Sequence, residues 1–416
     1  MFEFSRLARK SLKMMVGALA AQTIAIAVLP IFSRYLAAED FGRFGVWYGV
    51  FAICLMLAGS KLQISIVNER APEAMIAVVA IALLLSFCVS SLIVASGWAF
   101  APGISHLMAS WTFAYTGALA LGVWLTVAIQ CSNAVAIAQG NFRELVRQRV
   151  VVASSVAVCQ LVAITIMPTG LSLIVGFVAG SAVGAAYGFA VSLLPLMKEA
   201  VSLVTAGRWL KGHWVPLMYM TLAELISTAI QYLPVMILGA RFGTEAAGLM
   251  TMTIRVLAAP ATLICGSLLD VYKHASASEY ETNGQCISAY RSTLRLALPL
   301  AVAIGLPVFL FAPTLFALAL GEQWRVSGEF ARLMSVLIFL RVLSNPVSHT
   351  LYLAGKAHLE LGWQIVLLSL VLLALYLGQS EHMAVLLYAA AYSGMYMLHL
   401  MVSHRAAKGS ALVPTV

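Results

Sequence analysis

The amino-acid sequence predicts an all-α polytopic membrane protein. About 12 transmembrane helices are expected, in two parallel-repeat six-helix bundles around a central cavity. Three observations carry that expectation. The 416 residues are 62% hydrophobic and 10% charged, with a mean hydropathy of +0.95, whereas a soluble domain carries roughly 25% charged residues. Twelve apolar runs each approach the ~20 residues that a bilayer core requires. A hairpin signature near the start of the chain also returns in its second half.

The runs fall at 14–36, 44–67, 75–99, 112–138, 149–167, 171–196, 214–240, 246–271, 293–318, 333–354, 361–378 and 384–402. The weakest boundary is the fifth to sixth, where only the Pro-Thr-Gly turn of "MPTGLS" separates two apolar runs. Lys and Arg in the loops set the orientation. Seventeen lie on the side of the N-terminus, among them Arg9, Arg147, Lys211, Lys273 and Arg405. Five lie opposite: Arg34, Arg43, Arg241, Arg325 and Arg332. The N-terminus is therefore expected in the cytoplasm, and an even number of spans returns the C-terminus there. The basic start runs into an apolar stretch long enough to span, with no small-residue cleavage site, and reads as an uncleaved first helix.

Several function classes are disfavoured. The net charge of +9 is spread over short loops rather than gathered in a patch, so nucleic acid is not an expected partner. The longest stretch outside the spans is about 21 residues, at 272–292, which leaves no extramembrane catalytic domain. The six cysteines are scattered without metal or redox spacing and read as small buried hydrophobes. The eight histidines show no i, i+4 pairing, and no Gly-rich phosphate loop or nucleotide motif is present. No metal, cofactor or enzymatic activity is expected.

The repeat joins "LPIFSRYLAAEDFGRFGVW" (29–47) to "LPVMILGARFGTEAAGLM" (233–250). Glu39 and Gly42 return as Glu245 and Gly248, each 206 positions on (245 − 39 and 248 − 42). Pro30 returns as Pro234, and Arg34 has a near counterpart in Arg241. A fainter echo joins "AIAQGNFRE" (136–144) to "YLAGKAHLE" (352–360). Six spans separate the copies, so the halves run in the same direction. The expected division is a six-helix bundle at 1–197, a cytoplasmic linker at 198–213 and a second bundle at 214–416. Val201, Leu203, Val204, Trp209 and Leu210 make the linker either an interfacial helix or a plain connector.

The stretch "LPIFSRYLAAEDFGRFGVW", with Gln22 upstream, resembles the N-terminal signature of the polysaccharide biosynthesis protein family. That family comprises the O-antigen and exopolysaccharide flippases of the multidrug/oligosaccharidyl-lipid/polysaccharide exporter superfamily. "ILGARFGTEAAGLMTMTIRV" (237–256) resembles the start of its second half. The resemblance implies alternating-access translocation of an undecaprenyl-pyrophosphate-linked oligosaccharide across the bacterial inner membrane. It also implies a path lined by basic residues, and a polysaccharide polymerase and chain-length regulator as partners beside the membrane lipids. Proton or sodium coupling has been proposed for relatives. The alternative is a secondary exporter of another lipid or amphipathic molecule. Spans 1 to 6 as drawn contain no Asp or Glu, unlike the drug-exporting branch.

Ionisable residues inside spans cost about 2.5–3.5 kcal/mol each on insertion scales, which makes them functional candidates. Arg255 and Arg341 lie deep in spans 8 and 10 and suit a diphosphate; the other reading is helix–helix glue. Asn345 and His349 follow Arg341 at i+4 and i+8, with Pro346 expected to open the backbone between them. Gln130 and Asn133 suit sugar hydroxyls or helix contacts. Lys61 is either a substrate contact or a snorkelling anchor. Glu224 is the candidate ion-coupling acid, or else the counter-ion of Arg255.

Overall fold

The computed structural model describes residues 17, 19–59, 61–69, 71–104, 113–196 and 203–409. Among these the chain is helical, with no strand. Eleven helices are long and apolar enough to cross a membrane, and a shorter apolar helix, α1 (Leu19–Tyr35), precedes them. The first expected span at 14–36 lies partly outside the described residues, as do Arg9 and the linker residues 198–202.

By contact the chain divides into two compact units, Met1–Tyr232 and Leu233–Val416. The first holds α1, α2 (Ala38–Gly59), α3 (Leu62–Asn68), α4 (Pro72–Ile104), α5 (Phe113–Ala138), α6 (Phe142–Ile166), α7 (Gly170–Leu196) and the start of α8 (Leu203–Phe242). The second holds the rest of α8, α9 (Thr244–Asn283), α10 (Ile287–Leu320), α11 (Arg325–Leu333), α12 (Ser335–Ser344), α13 (Thr350–Leu353), α14 (Ala357–Leu377) and α15 (Glu381–Ala407).

The repeated hairpin sentence has a local electrostatic meaning. Arg34 closes the last turn of α1, and Glu39 and Asp40 open α2; Arg241 closes α8, and Glu245 opens α9. Cations at helix C-termini and anions at N-termini each complement the helix dipole. Arg34 stays exposed, while Arg241 donates to the Leu375 carbonyl and lies over the Phe242 and Tyr376 rings at 4.9 and 5.4 Å.

Two helices outrun the expected spans. α8 and α9 each have 40 residues, or about 60 Å at 1.5 Å per residue, twice the hydrocarbon thickness. The seventh span therefore continues back through the linker as one helix to Leu203, and Trp209 ties it to unit 1 by donating to Glu69 at 2.6 Å. The 21-residue stretch at 272–292 is likewise mostly helix, broken only at 284–286, where Gly284 takes φ +64°. Hydropathy stops at the membrane edge, but backbone hydrogen bonding does not, so apolarity alone misplaced these ends.

The turn at "MPTGLS" is real. α6 ends at Ile166 and α7 starts at Gly170, whose N–H donates to the Asp40 carboxylate at 2.7 Å. α6 and α7 then pack closely along Gly176, Gly180, Gly184 and Gly188. A methyl group at Gly176 or Gly180 would overlap the backbone of Gln160 or Val156. Small residues at this spacing are how membrane helices approach without a hydrophobic driving force.

Three spans depart from regular helix. The second breaks at Lys61, which adopts φ 56° and ψ 16° and is the one non-glycine residue of positive φ among the described residues. The sixth carries a π-helical stretch at Phe189–Leu193. The tenth, as the proline implied, gives way to a 3-10 turn over Asn345–Val347 between α12 and α13. Irregular backbone at membrane depth is tolerated where it is buried in protein or lines a cavity, and it recurs at functional sites.

Candidate functional site

In the first unit the break at Lys61 organises a polar cluster. The reversed residue cannot continue α2 and presents its ammonium to α8, where Glu224 Oε2 lies 3.1 Å from Lys61 Nζ. Glu224 is thus an ion-pair partner of Lys61. Gln63 and Asn68 on α3 and Gln130 and Asn133 on α5 line a cavity of about 350 Å³. Gln130 Oε1 and Asn133 Oδ1 are buried there without a hydrogen-bond partner. Buried acceptors of this kind cost about 1–3 kcal/mol each, so they call for an explanation.

In the second unit Arg341 lies half-buried on α12. The side chains of Tyr396, Tyr392, Tyr388 and Cys265 interact electrostatically with it. No ion pair engages Arg341 among the described residues. The three tyrosines fall at i, i+4 and i+8 on α15 and form a ladder, with ring centroids 5.6 Å apart from Tyr388 to Tyr392 and 5.0 Å from Tyr392 to Tyr396. Trp363 on α14 extends it, 5.9 Å from Tyr396, with its indole N–H on the Met395 carbonyl at 2.8 Å. Aromatic faces beside a guanidinium suit a ligand with sugar rings and an anionic group.

The stripe expected from Arg341 through Asn345 to His349 is interrupted. Asn345 starts the 3-10 turn, and His349 caps α13 with its ring stacked on Tyr352 at 6.1 Å. The break at Pro346 removes the helical register that would have aligned the three residues. Arg255 is half-buried on α9 and has an interaction partner. No group of three or more His, Cys, Asp or Glu that would hold a metal occurs among the described residues.

Sequence reading missed four groups. The ladder of Tyr388, Tyr392 and Tyr396 was legible as an i, i+4, i+8 stripe. Glu144 and Glu360, placed in loops by hydropathy, are buried in the first turns of α6 and α14. Glu144 accepts from Tyr187 at 2.6 Å and pairs with Arg147 at 3.4 Å. His399 gave no sequence signal, because its partners lie 39 and 55 positions away.

The fold of these broken apolar spans is similar to that of solved membrane transporters. The chain matches an inward-facing multidrug resistance MATE family transporter of the MOP superfamily with a TM-score of 0.72, at 14% identity, covering 92% of this chain and 94% of that one. It matches the lipid II flippase MurJ, inward closed, with a TM-score of 0.69 at 11% identity, covering 96% and 87%. A MOP superfamily transporter from Pyrococcus furiosus, for which a reversed polarity of the binding pocket is reported, gives 0.60 at 15% identity, covering 96% and 94%. No curated protein matches by sequence. The model of the polysaccharide biosynthesis protein family matches residues 31–329, and the chain belongs to that family.

Proposed function

We propose that this protein is a flippase that carries an undecaprenyl-pyrophosphate-linked oligosaccharide across the bacterial inner membrane by alternating access. The observation that carries the reading is Arg341, a guanidinium inside a membrane span that no ion pair engages among the described residues. An unneutralised cation at that depth is costly unless an anionic ligand repays it. Arg255 is assigned to the same anion, and Gln130 and Asn133 to sugar hydroxyls, which would satisfy their orphan oxygens. Lys61 is assigned to substrate through exchange with Glu224. Asn345 and His349 sit at the opened backbone, where a moving ligand meets free polar groups. No chemistry on the sugar is assigned. Both termini are placed in the cytoplasm, with halves at 1–197 and 214–416, and a polymerase and chain-length regulator act downstream.

The test is complementation. A deletion strain is expected to make only core-length lipopolysaccharide or no polymer, restored by the wild-type gene and not by Arg341→Ala at equal membrane abundance. Normal polymer in the deletion strain, with altered resistance to an amphipathic compound, would favour a secondary exporter of another lipid or small molecule.

A further inference from the structure

The second unit contains a buried chain of polar groups that the substrate reading does not use. His399 on α15 is 3% exposed, Ser344 on α12 is 1%, and Ser403 on α15 is 0%. The imidazole Nε2 lies 3.2 Å from Glu360 Oε2 on α14; Nδ1 lies 2.8 Å from Ser344 Oγ and 3.4 Å from Ser403 Oγ. Trp363 closes one side with its ring 5.2 Å from His399.

We propose that His399 and Glu360, with Ser344 and Ser403, form a proton-binding site that couples protonation to ligand occupancy at Arg341. Three features point there. First, the site holds either state of the imidazole without losing a hydrogen bond. Neutral His399 donates from Nε2 to Glu360 and accepts at Nδ1 from a serine hydroxyl. Uptake of one proton from water makes Nδ1 a donor, and the same hydroxyl, which is both donor and acceptor, turns to accept. The proton resides on Nδ1, no heavy-atom bond breaks, and deprotonation returns it to water.

Second, the proton site and the candidate ligand site are adjacent rungs between the same two helices. Ser344 follows Arg341 by three residues on α12, and His399 follows Tyr396 by three on α15, which places each pair on one helical face a turn apart. Ser344 is also the last residue of α12 before the 3-10 turn, so a change at its hydroxyl bears on the broken segment.

Third, the site has a counterpart in the first unit that lacks the titrating group. The echo "AIAQGNFRE" and "YLAGKAHLE" places Glu144 and Glu360 alike, each after a glycine of φ +69°. Glu144 meets Tyr187, and Glu360 meets a histidine, the side chain whose charge changes between about pH 5 and 8. The other titratable groups on helices packed against α15 are Arg341 on α12, Tyr290, Arg291 and Arg295 on α10, Tyr352 on α13, and His358 and Tyr376 on α14, with Lys356 just before α14. α11 adds Arg325, Glu329 and Arg332, and Glu329 meets His382 at the start of α15 at 3.0 Å; α15 itself adds Glu381, Tyr388, Tyr392, Tyr396, His404 and Arg405. An imidazolium one helical turn from the Arg341 and Tyr396 rung adds positive charge, so protonation should favour an anionic ligand.

This inference rests on the diphosphate reading only for its second half, and the test separates the two. Purified full-length protein is first titrated without lipid. Wild type is expected to bind about one proton more than His399→Gln over the full titration; equal counts would overturn the site. Binding of undecaprenyl diphosphate is then compared at about pH 6 and 8. Wild type should bind roughly tenfold tighter at the lower pH, within the ordinary range of coupling between two sites. His399→Gln and Glu360→Gln, which keep a hydrogen-bonding side chain, should bind the lipid with that ratio lost. Ser344→Ala should shrink the ratio while leaving the proton count unchanged. An undiminished ratio in both glutamine variants overturns the coupling. A proton difference without lipid binding by wild type leaves the proton site standing and removes the diphosphate reading.

Discussion

Lys61 and Glu224 meet at 3.1 Å, joining the left-handed break in the second span to the long α8. The ammonium is mostly covered and the carboxylate is 42% exposed. Each charge is costly alone in a membrane span, and together they offset one another. Glu224 thereby has a structural occupation that the sequence did not reveal.

Neutralising one partner should destabilise more than removing both. Lys61→Met or Glu224→Gln is expected to lower the melting temperature in detergent, and Lys61→Met with Glu224→Leu to recover most of the loss. Solvent screening limits the pair to about 1 kcal/mol. A double mutant as unstable as the sum of the singles would remove the ion pair from the account.

Gln130 and Asn133 should separate folding from transport. Gln130→Leu deletes an orphan acceptor, and its stability is expected to hold or rise by up to about 1 kcal/mol. Polymer yield in the complemented strain should fall. Loss of stability would show that the amide bonds within the protein after all.

Arg341→Lys probes recognition geometry. A point charge cannot reproduce a bidentate guanidinium, so polymer production should fall nearly as far with lysine as with alanine. Full activity with lysine would reduce the requirement to charge alone.

Pro346→Ala should let α12 run on towards α13. Hydrogen exchange across 345–349 is expected to slow, and polymer yield to drop at normal membrane abundance. Unchanged exchange would mean the turn is held by tertiary packing rather than by the proline.

Gly180→Val tests the close approach of α6 and α7. The side chain would enter the Val156 backbone, with an expected cost of about 1–3 kcal/mol or more. Membrane abundance and melting temperature are the readouts, and an unaffected protein would show that the two helices separate without penalty.

Much of the architecture was legible because the bilayer imposes it. Apolar length identified the spans, and Pro346 announced the opened tenth span through its missing N–H and its clash with the preceding turn. The hairpin echo was also readable, since acidic and basic residues at helix ends obey local dipoles. Helix ends were less so: α9 runs to Asn283 because polar residues continue a helix beyond the lipid.

The sequence by itself determined the membrane class, eleven of the twelve expected spans, the repeated hairpins and the inventory of intramembrane charges, all of which follow from solvent and local geometry. Only the tertiary structure decided who meets whom. Lys61 with Glu224, Arg341 with three tyrosines, and His399 with Glu360 and Ser344 are pairings between distant helices. Such contacts depend on helix rotation and packing, set by many small steric fits such as those at Gly176 and Gly180, and no single periodicity in the chain records them.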